Sequence, residues 1–314
     1  MAGPHEFINF EVPGSFNTFA EDINDKNNVT GYYRDQSGTT HAFVRTSDGT
    51  ITTFDPPAAS SSSGSAIDQN DEIVGTYFDS SNAPHGFLRA PNGTITKFDV
   101  PNSTFTFASA INRRREITGE YADLNRAVHG YLRKASGKYF VFDVPRAALT
   151  AGSTINNHGA IAGAYCIDLS CNPYNAFFRL PDGGITTFSV TGAKRTVPMV
   201  INSHGIIAGS YIDSAGNVGG FQRNPVGQIT TFFCSFSGLN DKGWAVGESR
   251  GDNGVYYGLL RAPDGTLTGL VDPDAGTGDG QGTHPSRINS ARYVSGYYAD
   301  SNLHYHGFIV LPRK

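Results

Sequence analysis

An apolar-Asn pair, or a close variant, recurs seven times along this chain of 314 residues. It stands at Ile23-Asn24, Ile67-Asp68, Ile111-Asn112, Ile155-Asn156, Ile201-Asn202, Leu239-Asn240 and Ile288-Asn289. Successive copies are 44, 44, 44, 46, 38 and 49 residues apart. That period holds four short strands and their turns, the content of one propeller blade.

Three further signals follow each pair in a fixed order. An apolar-Gly-x-Tyr segment comes first: Gly31-Tyr32-Tyr33, Gly75-Thr76-Tyr77, Gly119-Glu120-Tyr121, Gly163-Ala164-Tyr165, Gly209-Ser210-Tyr211 and Gly296-Tyr297-Tyr298. Unit 6 departs with Gly247-Glu248-Ser249. Next comes a His-x-aromatic strand, at His41-Ala42-Phe43, His85-Gly86-Phe87, His129-Gly130-Tyr131 and His306-Gly307-Phe308. Asn175, Gly219 and Tyr257 replace that His in units 4 to 6. A Thr-rich strand after an Asp-Gly or Asn-Gly turn closes the unit, as in Asn92-Gly93-Thr94-Ile95-Thr96. β-branched and aromatic residues with period-two alternation predict strands throughout, and the Gly turns supply the positive φ of tight hairpins.

The expected fold is therefore all-β, a seven-bladed β-propeller of four-stranded blades forming one domain over 1–314. The last unit stops at Leu311-Pro312-Arg313-Lys314 without a Thr-rich strand. The segment Phe7-Ile8-Asn9-Phe10-Glu11-Val12-Pro13 matches that missing strand. A strand at about 6–13 pairing with the final blade, at about 284–312, would close the ring and leave no open edge.

At His41-Ala42-Phe43 the chain resembles the bacterial HAF-repeat proteins. Their units read roughly Ile-Asn-Asp-x-Gly, apolar-Gly-x-Tyr, His-Gly-Phe, then Asp-Gly-x-Ile-x-x-Phe-Asp-x-Pro. The resemblance spans nearly the whole chain and is best in units 1 to 3 and 7. It implies a secreted or envelope-associated protein, extracellular or periplasmic. It carries no established activity, so no catalytic residue comes with it.

Formal net charge is −4, which argues against the basic face a nucleic acid requires. No apolar run approaches the ~20 residues of a membrane span. Met1-Ala2-Gly3-Pro4-His5 leads almost directly into a strand, so no signal peptide is expected in this sequence. A monomer is expected. Cys166 and Cys171 share one loop and can pair in oxidising surroundings, leaving Cys234 free; the spacing is not that of a zinc site. Arg113-Arg114-Arg115 reads as a solvated turn.

Residues that recur in every unit serve the unit. An Asp ends most Gly-x-Tyr strands (Asp35, Asp79, Asp123, Asp168, Asp213, Asp300), and a hydrogen bond from it to the following His is expected to tie the hairpin. The repeated Tyr residues are expected to pack between blades. Function is expected where the pattern breaks. Before the apolar-Asn pair stand Ala66, Ala110, Thr154, Val200 and Gly238, but Asp22 in unit 1 and Arg287 in unit 7. One residue earlier, Ser65, Ser109, Ser153, Ser237 and Ser286 give way to Glu21 in unit 1. In a closed ring these two units abut, so Glu21, Asp22 and Arg287 are expected to meet, as a salt bridge at the seam or as an acid–base site with His284. The long loop Asp272–His284 is a candidate lid. Its Asp272, Asp274 and Asp279 are candidate Ca²⁺ ligands, although the spacing is not that of a full calcium loop. Arg146, Lys194 and Arg195 lie in equivalent links and are, with Asp272 and Asp274, candidate ligand-binding residues. No nucleophile elbow and no His-Glu-x-x-His is present.

The leading expectation is a secreted, non-catalytic propeller that binds carbohydrate or another extracellular polymer through its funnel loops, without a cofactor. The second is a polysaccharide lyase or hydrolase using Glu21, Asp22, His284 and Arg287. The third is a protein-interaction scaffold.

Overall fold

The structure is a computed structural model that describes residues 5–313; Met1–Pro4 and Lys314, with part of the expectation about a leader, lie outside the described residues. No helix of the described chain is long and apolar enough to cross a membrane. The first strand is β1 (Phe7–Phe10). Unit 1 is β2 (Ser15–Ile23), β3 (Val29–Asp35), β4 (Thr40–Arg45) and β5 (Ile51–Phe54). Unit 2 is β6 (Ser61–Ile67), β7 (Ile73–Phe78), β8 (Pro84–Arg89) and β9 (Ile95–Phe98). Unit 3 is β10 (Ser103–Ile111), β11 (Ile117–Asp123), β12 (Val128–Arg133) and β13 (Tyr139–Phe142). Unit 4 is β14 (Leu149–Ile155), β15 (Ile161–Cys166), β16 (Asn175–Arg179) and β17 (Ile185–Phe188). Unit 5 is β18 (Arg195–Ile201), β19 (Ile207–Ile212), β20 (Val218–Arg223) and β21 (Ile229–Phe232). Unit 6 is β22 (Ser235–Leu239), β23 (Ala245–Arg250), β24 (Tyr256–Arg261) and β25 (Leu267–Leu270). Unit 7 has β26 (Gly282–Ile288), β27 (Val294–Ala299) and β28 (Tyr305–Val310).

Each unit is an antiparallel four-stranded sheet in chain order, and β1 is the fourth strand beside β28. Phe7 pairs with Val310 and Phe10 with Gly307. β1 is shorter than the expected 6–13, because the chain turns after it, with Ser15 N–H bonded to the Val12 carbonyl at 3.0 Å.

A bulge recurs at one position of every inner strand. The ladder skips Glu21, Ser65, Ser109, Ser153, Met199, Ser237 and Ser286. A bulge re-aims the side chain it carries. It also accounts for the Gly of Gly-x-Tyr. A Cβ at Gly31, Gly75, Gly119 or Gly163 would collide with the carbonyl oxygen of Phe19, Ser63, Phe107 or Ala151.

The core lies between neighbouring sheets. One cluster joins Ala66, Val74 and Leu88 of unit 2 to Ile111, Ile117 and Tyr131 of unit 3; another joins Ala20, Ile23 and Phe43 of unit 1 to Val12 and Ile309. The aromatic of each His-x-aromatic strand is fully buried here, Phe43, Phe87, Tyr131 and Phe308 alike. The arginine ending the third strand of units 2 to 6 lies over an aromatic ring of the preceding unit: Arg89 on Phe54 (4.8 Å), Arg133 on Phe98 (4.9 Å), Arg179 on Phe142, Arg223 on Phe188 and Arg261 on Phe232 (each 5.0 Å). Arg45 takes Phe10 of β1 at 5.0 Å, so β1 meets unit 1 as the other last strands meet their successors.

A belt of asparagines links the inner ends. Asn24 Nδ2 donates to the Asp68 carbonyl (3.0 Å), Asn112 to Asn156 (2.9 Å), Asn156 to Asn202 (3.0 Å), Asn202 to Asn240 (3.2 Å) and Asn240 to Asn289 (2.9 Å). Asn289 donates to the Asn24 carbonyl at 2.9 Å, joining unit 7 to unit 1. The Asp68 side chain has no N–H to give, so the belt lacks its link from unit 2 to unit 3. There Glu72 takes Arg115 Nε at 2.6 Å instead. The basic run is an exposed turn, as expected, but its arginines are paired. Arg114 pairs with Glu116 at 2.8 Å, and Arg113 with Asp25 of unit 1 at 2.9 Å.

The expected Asp–His tie is real but secondary. The histidines lie closest to the carboxylate after the last strand: His41 to Asp55 (2.8 Å), His85 to Asp99 (2.9 Å), His129 to Asp143 (2.9 Å) and His306 to Glu11 (2.6 Å). The hairpin carboxylates Asp35, Asp79, Asp123 and Asp300 stand at 3.5, 3.4, 3.7 and 3.6 Å. The repeated Tyr rings stack on these histidines, as Tyr33 does on His41 at 5.1 Å and Tyr298 on His306 at 4.8 Å. Cys166 and Cys171 form a disulfide, and Cys234 is free and buried.

Candidate functional site

The inner strands of all the units converge on an axis with two cavities. The smaller, of about 190 Å³, lies at the Asn-belt end and is lined by Asp22, Ala110, Thr154, Val200, Asp241 and Arg287, among others. The larger, of about 380 Å³, opens at the other end between units 5, 6, 7 and 1. Its polar wall is Glu21, Glu248, His284 and Arg287, with Ser210, Ser235, Ser237 and Ser286. Met199, Phe236, Pro285 and Tyr297 supply apolar surface.

The bulges position this wall. Four bulge residues stand in it: Glu21, Ser237, Ser286 and Met199, the last where Ser is replaced. Glu248 and Tyr297 occupy the x of Gly-x-Tyr, opposite Ser235 and His284 in the inner strands. His284 Nδ1 is 2.7 Å from Glu248 Oε2. Its ring is stacked on Tyr297 at 5.0 Å and tilted against Tyr256 at 4.6 Å.

The seam residues do meet, but not as an ion pair. Asp22 accepts the backbone N–H of Ile23 and of Ile67, both at 2.9 Å. Arg287 donates through one nitrogen to the carbonyls of Ser237 and Ser286. Units 7 and 1 are joined instead by backbone N–H groups donating to side-chain oxygens, as Ser290 N does to Asp25 Oδ1 (2.9 Å) and Tyr305 N to Asn17 Oδ1 (2.8 Å). Burial pushes the Glu21 carboxyl up, partly opposed by the Arg287 charge. Burial likewise raises Asp22, against Arg287 and its two N–H donors. Burial and then the Glu21 charge push the Tyr32 hydroxyl up to about 12.

The other candidates lie elsewhere. Asp272 and Asp274 hold Asn9 of β1, at 3.2 and 3.0 Å, while Asp279 pairs with Arg250 at 2.5 Å. Asp272 and Asp274 thus share Asn9 while Asp279 is turned to Arg250, and no group able to hold a metal ion forms among the described residues. The loop that carries them is no lid. Gly276 N bonds the Ala299 carbonyl (2.9 Å) and Gly280 N the Gly254 carbonyl (3.0 Å), pinning it between units 6 and 7. Arg146 and Lys194 are exposed, and Arg195 lies over Tyr174 at 5.3 Å; none lines either axial cavity. Sequence reading missed Glu248, Tyr297 and Met199 as site residues. The broken motif Gly247-Glu248-Ser249 was the available signal.

No protein-family model matches the chain, and no curated protein matches it. Solved structures do. An uncharacterised protein from Listeria monocytogenes EGD-e is 11% identical, with TM-score 0.57 and 95% of each chain covered. BP39L lectin from Burkholderia pseudomallei is 8% identical, with TM-score 0.53, covering 95% of this chain and 99% of that one. TolB from Acinetobacter baumannii is 12% identical, with TM-score 0.53 and 91% of this chain covered; this chain spans 64% of its length. At such identities the likeness is one of fold, and the fold is that of the β-propellers.

Proposed function

We propose that the chain is a seven-bladed propeller, closed by β1, that binds carbohydrate or a similar hydroxyl-rich extracellular polymer at the larger cavity. The observation that carries this reading is the composition of one wall. Carboxylates can accept from hydroxyls and an arginine and serines can donate to them, while Met199, Phe236, Pro285 and Tyr297 supply apolar surface. A cavity of about 380 Å³ falls within the range of small-ligand sites. Closure is supported by the β1–β28 ladder, the Asn289–Asn24 bond and the His306–Glu11 contact. An extracellular or periplasmic setting is supported by the Cys166–Cys171 disulfide and by the resemblance to HAF-repeat proteins. Electrophoresis through gels cast with a panel of polysaccharides tests the reading. Retardation by at least one polymer, competed by its oligosaccharides, is expected, and free migration through every gel would refute it. A second reading, acid–base catalysis on the bound ligand, is favoured by the environment of His284.

A further inference from the structure

The fold leaves one buried polar atom of the larger cavity without a partner. His284 is 9% exposed, and its Nε2 makes no hydrogen bond. Its Nδ1 faces Glu248 Oε2, and an ionised carboxylate only accepts. Nδ1 therefore carries the hydrogen, and the lone pair of the neutral ring lies on Nε2. Tyr256 and Tyr297 fix the ring plane. A carboxylate that orients an imidazole and leaves the far nitrogen bare is the arrangement of a general base.

Two further groups stand beside it. Tyr297 lines the same cavity, and burial, then the Glu21 and Glu248 charges, hold its hydroxyl protonated well above the usual tyrosine range. Arg287 lines the cavity too, and no carboxylate among the described residues lies within ion-pair distance of it. At the Asn-belt end the Arg113–Asp25 pair joins unit 3 to unit 1. The larger cavity has room for roughly two sugar rings, which suits a chain end better than a chain interior.

Resting on the reading of this cavity as a carbohydrate site, we propose that it catalyses β-elimination at the end of a uronic-acid chain. His284 Nε2 takes the hydrogen from C5, next to the substrate carboxylate. The electrons of that C–H bond form the C4=C5 double bond, and the bond from C4 to the glycosidic oxygen breaks. The Tyr297 hydroxyl gives its proton to the departing oxygen. Arg287 holds the carboxylate while charge builds on it. One chain becomes two, no redox change occurs, and transfer of the proton from His284 back to Tyr297 resets the site. Because the two rings stack side by side, base and acid work on one face of the sugar. The C5 hydrogen and the C4 oxygen must then lie on the same face, as in gluco-configured and not galacto-configured uronates.

The test uses the full chain with C4-linked oligoglucuronate, oligogalacturonate and neutral oligoglucan. Product is followed by the ultraviolet absorbance of the new conjugated double bond, and binding is measured separately by calorimetry. Unsaturated product from oligoglucuronate alone is expected. His284→Gln should lower turnover at least ~100-fold with binding retained. Glu248→Gln, at a positioning residue, should lower kcat more than KM and displace the pH profile, and it decides the matter if His284→Gln does not fold. Binding without product would overturn the elimination and leave the binding reading standing. Equal turnover of oligogalacturonate would overturn the same-face assignment. Binding of none of the three would count against both readings.

Discussion

Replacing Phe10 by Ala tests whether β1 is a structural blade strand or an appended tail. Phe10 is half-buried, 6.0 Å from the Phe43 ring and beneath the Arg45 guanidinium at 5.0 Å. Truncating a fully buried Phe costs about 3–5 kcal/mol, so half that burial gives roughly 2 kcal/mol. The cation–π contact adds about 0.5–1 kcal/mol. The expected loss is then about 2–3 kcal/mol, or a fall in Tm of roughly 5 °C for a chain of this size. Phe142→Ala is the internal control. That ring is 7% exposed and lies under Arg179 at 5.0 Å in the same geometry. Differential scanning calorimetry on both variants decides. A Phe10 variant within about 0.5 kcal/mol of the parent, beside a destabilised Phe142 variant, would refute the equivalence of β1 with the other last strands.

Removing residues 1–13 strips β28 of its partner and uncovers Phe308 and Ile309, so loss of the cooperative melt or aggregation on size exclusion is expected; an unchanged Tm would contradict it. Asp68→Asn supplies the missing donor of the Asn belt at a site where burial raises the carboxyl, and should stabilise by about 1 kcal/mol, read as a higher denaturation midpoint. Glu116 has the opposite sign. Burial alone would raise it, but Lys134 (2.6 Å), Asn112 (2.7 Å) and Arg114 (2.8 Å) hold it below its ordinary value. Its contribution is present above about pH 4.3, the unfolded value, and is lost as pH falls through the lower folded value. Glu116→Gln should therefore be less stable at neutral pH and show a flatter acid limb in thermal melts.

The strands and their order were legible because each unit repeats its own punctuation: the Gly under the bulge, the turn glycines, the buried aromatic after His. The pairing of β1 with β28 was legible for the same reason, since Phe10-Glu11-Val12-Pro13 repeats Phe98-Asp99-Val100-Pro101. The bulge itself was not, because an extra residue in a strand leaves no mark on period-two patterning until the register is known. The arginine ladder was visible only in retrospect. Leu270 replaces the ring and Val310 the arginine at the same junction, a joint departure with meaning only once the two are seen to face each other. At the site, Glu21 and Arg287 were found because they break the repeat, and His284 because the longest loop delivers it to the same seam. The expected salt bridge was not, because backbone groups satisfy Asp22 and much of Arg287 first. The acidic loop misled for a similar reason. Asn9 and Arg250, remote in sequence, take up carboxylates that spacing alone offered to a metal.

The most direct measurement fills the cavity and leaves its polar groups in place. Met199 stands in the larger cavity, is 37% exposed and makes no side-chain hydrogen bond, so Met199→Trp adds bulk without removing a polar partner. Calorimetric titration of parent and variant with the polysaccharide that retards the parent, at equal Tm, is the comparison. The cavity account predicts at least a tenfold loss of affinity in the variant. Affinity equal to that of the parent would place the binding surface elsewhere on the molecule and contradict it.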